Sequence, residues 1–274
     1  MMRGSRSIAA IVAVAAAALA AGAAQAVGPW PGLAPQVFSP SGDVRYTATR
    51  GGGMTTVTST RAGRIVASAR IDGAFGVPAV TSMGEPGGLS PDGRLLVLAE
   101  PSGFTSLRNQ SRFALVPTAS LGKATTITLP GEFGFDAISP DRRWLYVIQH
   151  ASNKDLVRYV VRAYDLRAHR LLPGAIVDKR NVDEVMRGYP VARATSATGR
   201  WVYTLYTKGP GSPSTFVHAL NTVGRSAFCI DLPWSAGEDV WEASLRLSGT
   251  TLLVNAKDGT TAARIDTQTL KATR

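Results

Sequence analysis

The chain has 274 residues, a formal net charge of +11, 45% hydrophobic residues and one cysteine, Cys229. A lone cysteine excludes an internal disulfide framework, so stability has to come from a packed core. The positive charge is dispersed, without the Lys/Arg block of a nucleic-acid-binding tail, and this speaks against a nucleic acid partner.

Residues 1–26 read as a secretory signal peptide: Arg3 and Arg6 precede an Ala-rich apolar run from Ile8 to Ala21, and Ala24-Gln25-Ala26 is an A-x-A cleavage site. Loss of that segment leaves residues 27–274 with a formal charge of +9 and no further run of about eighteen apolar residues. A single extracytoplasmic domain without a transmembrane segment is therefore expected.

From there a phrase recurs about every fifty residues: Ser39-Pro40-Ser41-Gly42, Ser90-Pro91-Asp92-Gly93, Ser139-Pro140-Asp141-Arg142, Ser196-Ala197-Thr198-Gly199 and a worn Ser248-Gly249-Thr250. Pro presets φ in a β-turn, Asp and Ser bond the local backbone, and Gly accepts the left-handed conformation. One copy is an ordinary turn, but five copies at this period mark an array of small units that bury their faces by stacking.

Each turn is preceded by a predicted strand (Pro35 to Phe38, Val77 to Ser82, Phe133 to Ile138, Pro190 to Thr195, Val240 to Leu247). Each is followed by another (Val44 to Thr49, Leu95 to Ala99, Trp144 to Ile148, Trp201 to Tyr206, Leu252 to Asn255). A second hairpin completes the unit. Asp165, Asn221 and Asp266 stand where the chain leaves the third strand, and such side chains fold a turn onto its own backbone. No helix of useful length is predicted. Trp144, Trp201, Leu96 and Val254 are expected to be buried between stacked sheets.

Ser90-Pro91-Asp92-Gly93-Arg94-Leu95-Leu96-Val97-Leu98 resembles the repeat of TolB-type and WD40-like propellers, and Tyr164-Asp165-Leu166 with Ile265-Asp266-Thr267 is similar to the third strand of YVTN-type repeats. The resemblance implies an all-β β-propeller of five four-stranded blades. Six is the alternative, should Val27 to Leu33 or the segment from Asp178 to Gly188 hide further strands.

The common catalytic signatures (G-x-S-x-G, H-E-x-x-H, C-x-x-C, a glycine-rich phosphate loop) do not occur. Aligned on their turns, the units place Arg50, Glu100, His150, Thr207 and Lys257 at equivalent positions after the second strand, where propeller loops surround the channel mouth. Glu132 and Glu242 join this candidate mouth. The six glutamates (Glu85, Glu100, Glu132, Glu184, Glu238, Glu242) are all expected near one face. Clustered carboxylates serve acid–base catalysis or bind Ca²⁺, but no metal ligand set or other cofactor is assigned.

Two functions follow from the candidate mouth, beside a third, a structural or assembly part of the cell envelope, which predicts an exposed blade edge or apolar patch instead. One is a secreted, non-catalytic module of the envelope or extracellular space that binds a protein, glycan or small molecule. The other is a propeller hydrolase or lyase, lactonase- or glycosidase-like, with His150, Glu100 and Asp136 as candidate catalytic residues. The repeated turns also carry Arg94, Arg142, Arg143, Arg167, Arg170, Arg200 and Arg225, a basic face suited to anionic envelope polymers.

Overall fold

The computed structural model describes residues 32–274 apart from 103–105, 184 and 236. The expected signal peptide, residues 27–31 and Glu184 lie outside the described residues. Strands dominate, and the one helical segment among the described residues is a 3-10 helix, Gly237–Glu242.

Four sheets have four antiparallel strands in sequence order. The first is Gln36–Phe38, Val44–Gly51, Met54–Arg61 and Arg64–Asp72; the third is Glu132–Ile138, Trp144–His150, Tyr159–Asp165 and Arg170–Leu171. The fourth is Tyr189–Thr195, Trp201–Thr207, Thr215–Asn221 and Ser226–Asp231; the fifth is Ser244–Ser248, Thr251–Asn255, Thr261–Asp266 and Lys271–Thr273.

The second sheet departs from the four-stranded expectation. It has three strands, Leu95–Ala99, Gln110–Pro117 and Thr125–Pro130, and its inner place is taken by an irregular segment that touches it through the bridges Gly76↔Ala99 and Leu89↔Leu96. Pro78 and Pro86 cannot donate to a ladder. The two-residue strand Val77–Pro78 pairs instead with Leu33–Ala34, the lead-in to the first sheet. Gly88 (φ +89°) lies so close to the carbonyl of Val97 that only a glycine fits there.

The expected inner strand Val240 to Leu247 is likewise corrected: the 3-10 helix occupies its start, and the strand begins at Ser244. In the segment from Asp178 to Gly188, the described residues hold only isolated bridges, Asp178↔Ala227 and Arg158↔Arg187.

The turns obey one rule in four units. The hydroxyl of the Ser accepts the backbone N–H five residues on (Ser39–Val44 3.0 Å, Ser90–Leu95 3.0 Å, Ser139–Trp144 2.9 Å, Ser196–Trp201 2.9 Å). In the second and third units it also donates to the Asp two residues on, at 2.7 and 2.6 Å. The left-handed place is held by Gly42, Gly93, Arg142 (φ +55°) and Gly199. In the fifth unit Ser248 pairs directly with Thr251, a tighter hairpin that leaves its hydroxyl exposed.

The outer hairpins repeat a second device. Oδ1 of Asp165 accepts the N–H groups of Arg167 and Ala168, both at 2.9 Å; that of Asn221 accepts from Val223 and Gly224, and that of Asp266 from Gln268 and Thr269.

Packing follows from the strands after the Ser turns, which in the second, third and fourth units are apolar on both faces. Leu96 and Leu98 point to the first sheet and Val97 and Ala99 to the third. Leu145 and Val147 point back to the second sheet, and Trp144 and Tyr146 forward to the fourth, where the Tyr146 hydroxyl donates to the Thr222 carbonyl at 2.6 Å. Tyr203 and Leu205 meet Leu252 and Val254 of the fifth. Four apolar clusters thus join successive sheets, and among the described residues none joins the fifth to the first. Leu96, Val254 and Trp144 are buried. Trp201 is only half-buried, stacked on Tyr203 near the sheet end with ring centroids 6.1 Å apart.

Ser139 is fully buried, so Ser139→Ala strands the Trp144 N–H and should cost about 1–3 kcal/mol in urea denaturation. Ser248→Ala, on an exposed hydroxyl, should stay within about 0.5 kcal/mol of the parent. Equal losses would contradict the distinction between the two turns.

Candidate functional site

Asp136 and Arg193 occupy the same place in their units, three residues before Ser139 and Ser196, on the inner strands of the third and fourth sheets. There they form an ion pair at the axis, with side chains 4% and 9% exposed. Arg193 Nη2 donates to Asp136 Oδ1, Nη1 to the Asp136 carbonyl, and Nε to Thr204 Oγ1 at 3.1 Å. Asp136 Oδ2 is buried with no hydrogen-bond partner among the described residues.

The irregular segment of the second sheet closes this centre from the far side. Ser82 N–H donates to the Pro190 carbonyl at 2.7 Å, and Glu85 Oε2 accepts the Arg193 backbone N–H at 3.0 Å. The exposed edge of an inner strand is satisfied in this way by another sheet. Glu85 has its pKa raised by burial among these walls, partly offset by Arg193.

Between these elements lies a cavity of about 410 Å³, bounded by parts of the first four sheets. Phe38, Val80, Phe135 and Val202 give it apolar walls, Pro40, Pro91 and Ala197 belong to the Ser turns, and Glu85, Asp136 and Arg193 supply its charges. The turns themselves converge: a side chain at Gly199 would collide with Pro91.

Asp136 and Arg193 also line a small void of about 20 Å³ with His150, Tyr159 and Tyr206, and a neighbouring void of about 30 Å³ is bounded by Glu100, Glu132 and His150. The structure thus brings Glu100, Glu132 and His150 together around one void, and His150 and Asp136 around another. Arg50, Thr207, Lys257 and Glu242 line neither. Arg50 is exposed, Thr207 is buried with its hydroxyl on the Gly209 carbonyl (3.2 Å), and Lys257 pairs with Glu242 at the surface of the fifth sheet.

Each acid here has a basic partner. Glu100 meets Arg112 at 3.2 Å, and the guanidinium of Arg112 lies over the Phe75 ring. Glu132 is held by Arg108 through Nε (2.9 Å), Nη2 (2.7 Å) and its backbone N–H (2.9 Å). The Arg108 guanidinium also reaches the Pro101 and Phe133 carbonyls and Ser111 Oγ, which makes it a structural clamp.

His150 is neutral at ordinary pH, because burial pushes its pKa down to about 4 against hydrogen bonding with the backbone of Arg158 and Leu156. Burial does the same to His218, again to about 4, against the nearby Asp136 carboxylate. Among the described residues no group of three or more His, Cys, Asp or Glu is placed to hold a metal ion, and no helix is long and apolar enough to cross a membrane. At the Ser-turn face, Arg142 pairs with Asp92 and Arg143 with Asp165, while Arg143 and Arg225 each lie 4.5 Å from the Trp144 ring centre.

No protein-family model and no curated protein sequence matches the chain. Solved structures do. An oligogalacturonate lyase in complex with manganese has 9% identity and a TM-score of 0.51 over 88% of this chain and 63% of that one. The Dos1 propeller has 10% identity and a TM-score of 0.50 over 87% and 56%. TolB from Acinetobacter baumannii has 10% identity and a TM-score of 0.45 over 88% and 53%. Such likeness shows the fold alone, a β-propeller. The chain spans between half and two thirds of the length of these three.

Removing one member of a buried ion pair leaves a charge without compensation, so Arg193→Met should cost about 3–5 kcal/mol in denaturation experiments. Arg193→Met/Asp136→Leu should recover most of that loss, and a double variant as unstable as the single would contradict the pairing.

The histidines set a pH window. Their folded pKa values of about 4 lie below the unfolded value of about 6.5, so below pH 6.5 the unfolded chain takes up protons that the folded one does not. Stability should fall between about pH 6.5 and 4, by up to about 3 kcal/mol per histidine. Denaturation of His218→Gln across this range should show a shallower slope than the parent.

Proposed function

We propose that the protein is a secreted, non-catalytic β-propeller that binds a ligand in its axial cavity, as a binding module of the envelope or extracellular space. The observation that carries this reading is that the candidate acids of the mouth and Asp136 are ion-paired, Glu100 with Arg112, Glu132 with Arg108, Asp136 with Arg193 and Glu242 with Lys257, which leaves Glu85 as the one cavity acid without a side-chain ion pair among the described residues. A general acid or base must be free to reach its substrate and to exchange its proton, and an ion pair opposes both. The cavity, by contrast, has the volume and the apolar walls of a small-molecule site. The export signal in residues 1–26 supports an extracytoplasmic setting, and the exposed Arg94, Arg167, Arg170 and Arg200 suit contact with anionic polymers there.

The test pairs turnover with binding on residues 27–274. Lactones, aryl glycosides and uronide polymers should show no turnover above buffer, and a small-molecule screen by thermal shift should return ligands whose stabilisation is lost in Phe38→Ala. Turnover that disappears in His150→Gln or Glu100→Gln would establish the hydrolase or lyase instead.

A further inference from the structure

The charges of the axial cavity are unequal in reach. The one cation, the Arg193 guanidinium, is 9% exposed and donates to Thr204 and twice to Asp136, so it is withdrawn from the cavity space. The acids are left in excess: Asp136 Oδ2 is buried without a partner, and Glu85, still accessible, uses Oε2 on the Arg193 N–H and has no partner among the described residues for Oε1. Two carboxylates against one guanidinium give the wall a net negative charge beside Phe38, Phe135, Val80 and the prolines of the turns.

An anion entering this cavity would meet Glu85 before the engaged guanidinium. A neutral apolar molecule would strip water from Glu85 and return nothing for it. A cation replaces that water with a charge-assisted hydrogen bond, while an apolar body is taken up by the Phe38 and Phe135 walls.

We propose that the cavity takes an organic ammonium compound with an apolar body, the ammonium on Glu85 Oε1 and the body against Phe38 and Phe135. This rests on the cavity being the ligand site. The chain's overall positive charge slows the encounter, but the effect is screened over about 10 Å at moderate salt and does not reach into the wall.

Three isosteric probes separate the charge class from the site: 4-phenylbutylammonium, 4-phenylbutanol and 4-phenylbutyrate, titrated calorimetrically into residues 27–274. The ammonium should bind at least tenfold more tightly than the alcohol, and the carboxylate most weakly. Glu85→Gln keeps an acceptor for the Arg193 N–H and should bring the ammonium to the affinity of the alcohol. Phe38→Ala, at a half-exposed position, should weaken all three. Equal affinities, tighter binding of the carboxylate, or an ammonium preference that survives in Glu85→Gln would overturn the cation assignment and leave the ligand site standing, provided Phe38→Ala weakens binding. Failure of all three probes to bind at millimolar concentration would overturn both.

Discussion

A strand that is apolar on both faces cannot lie at a surface, and the strands that follow the Ser turns of the second, third and fourth units are of that kind. Leu95–Ala99, Trp144–His150 and Trp201–Thr207 are each covered from both sides by neighbouring sheets, and Thr251–Asn255 is covered by the fourth sheet through Leu252 and Val254. Burying one large apolar side chain in this way contributes about 1.5–3 kcal/mol, and each interface repeats it several times over. Radial stacking satisfies this constraint, and the rest of the architecture follows from it. The inner edges converge, the Ser turns meet at one end, and an axial space is enclosed.

Convergence creates a polar problem that the axial residues answer. Inner strands face one another with unpaired N–H and carbonyl groups, where water is scarce. The fourth sheet's inner strand offers the Pro190 carbonyl and the Arg193 N–H, and the segment around Ser82 to Glu85 takes both. That segment is free to cross the axis because prolines and close-packed glycines keep it out of its own sheet. The loss of a regular inner strand in the second sheet and the closing of the centre are thus one event. Arg193 and Asp136 extend the same logic to side chains: a buried guanidinium is tolerable only with its donors occupied and a carboxylate against it.

What could be read in the sequence was local or periodic. The Ser turns and the Asx turns at Asp165, Asn221 and Asp266 declare themselves because their chemistry is complete within a few residues. The inner strand of the second sheet does not, since Val77 to Ser82 reads as a strand while its course is set by pairing with Leu33–Ala34 and by contact with the fourth sheet, both distant in sequence. Position after the second strand brings Glu100 and His150 to one void, but the other equivalent positions do not join them because their loops differ. Thr207 turns onto Gly209, and Lys257 sits on a sheet that does not line the cavity. The axial pair left a trace, since Asp136 and Arg193 share one register with opposite charge. Arg108 left none, because nothing in its loop marks it as the partner of Glu132.

On the proposed reading, the same pairing that would keep the rim quiet would make the cavity selective. Arginines against Glu100, Glu132 and Asp136 hold these carboxylates in place, so a proposed ligand would meet a wall that need not reorganise. Preorganisation of that kind limits the entropy lost on binding. Glu85 is the exception, since its one hydrogen bond runs to a backbone N–H and one oxygen remains toward solvent. Two carboxylates of the wall are under-satisfied, Asp136 at its buried Oδ2 and Glu85 at Oε1, and of the two only Glu85 is accessible to an entering group.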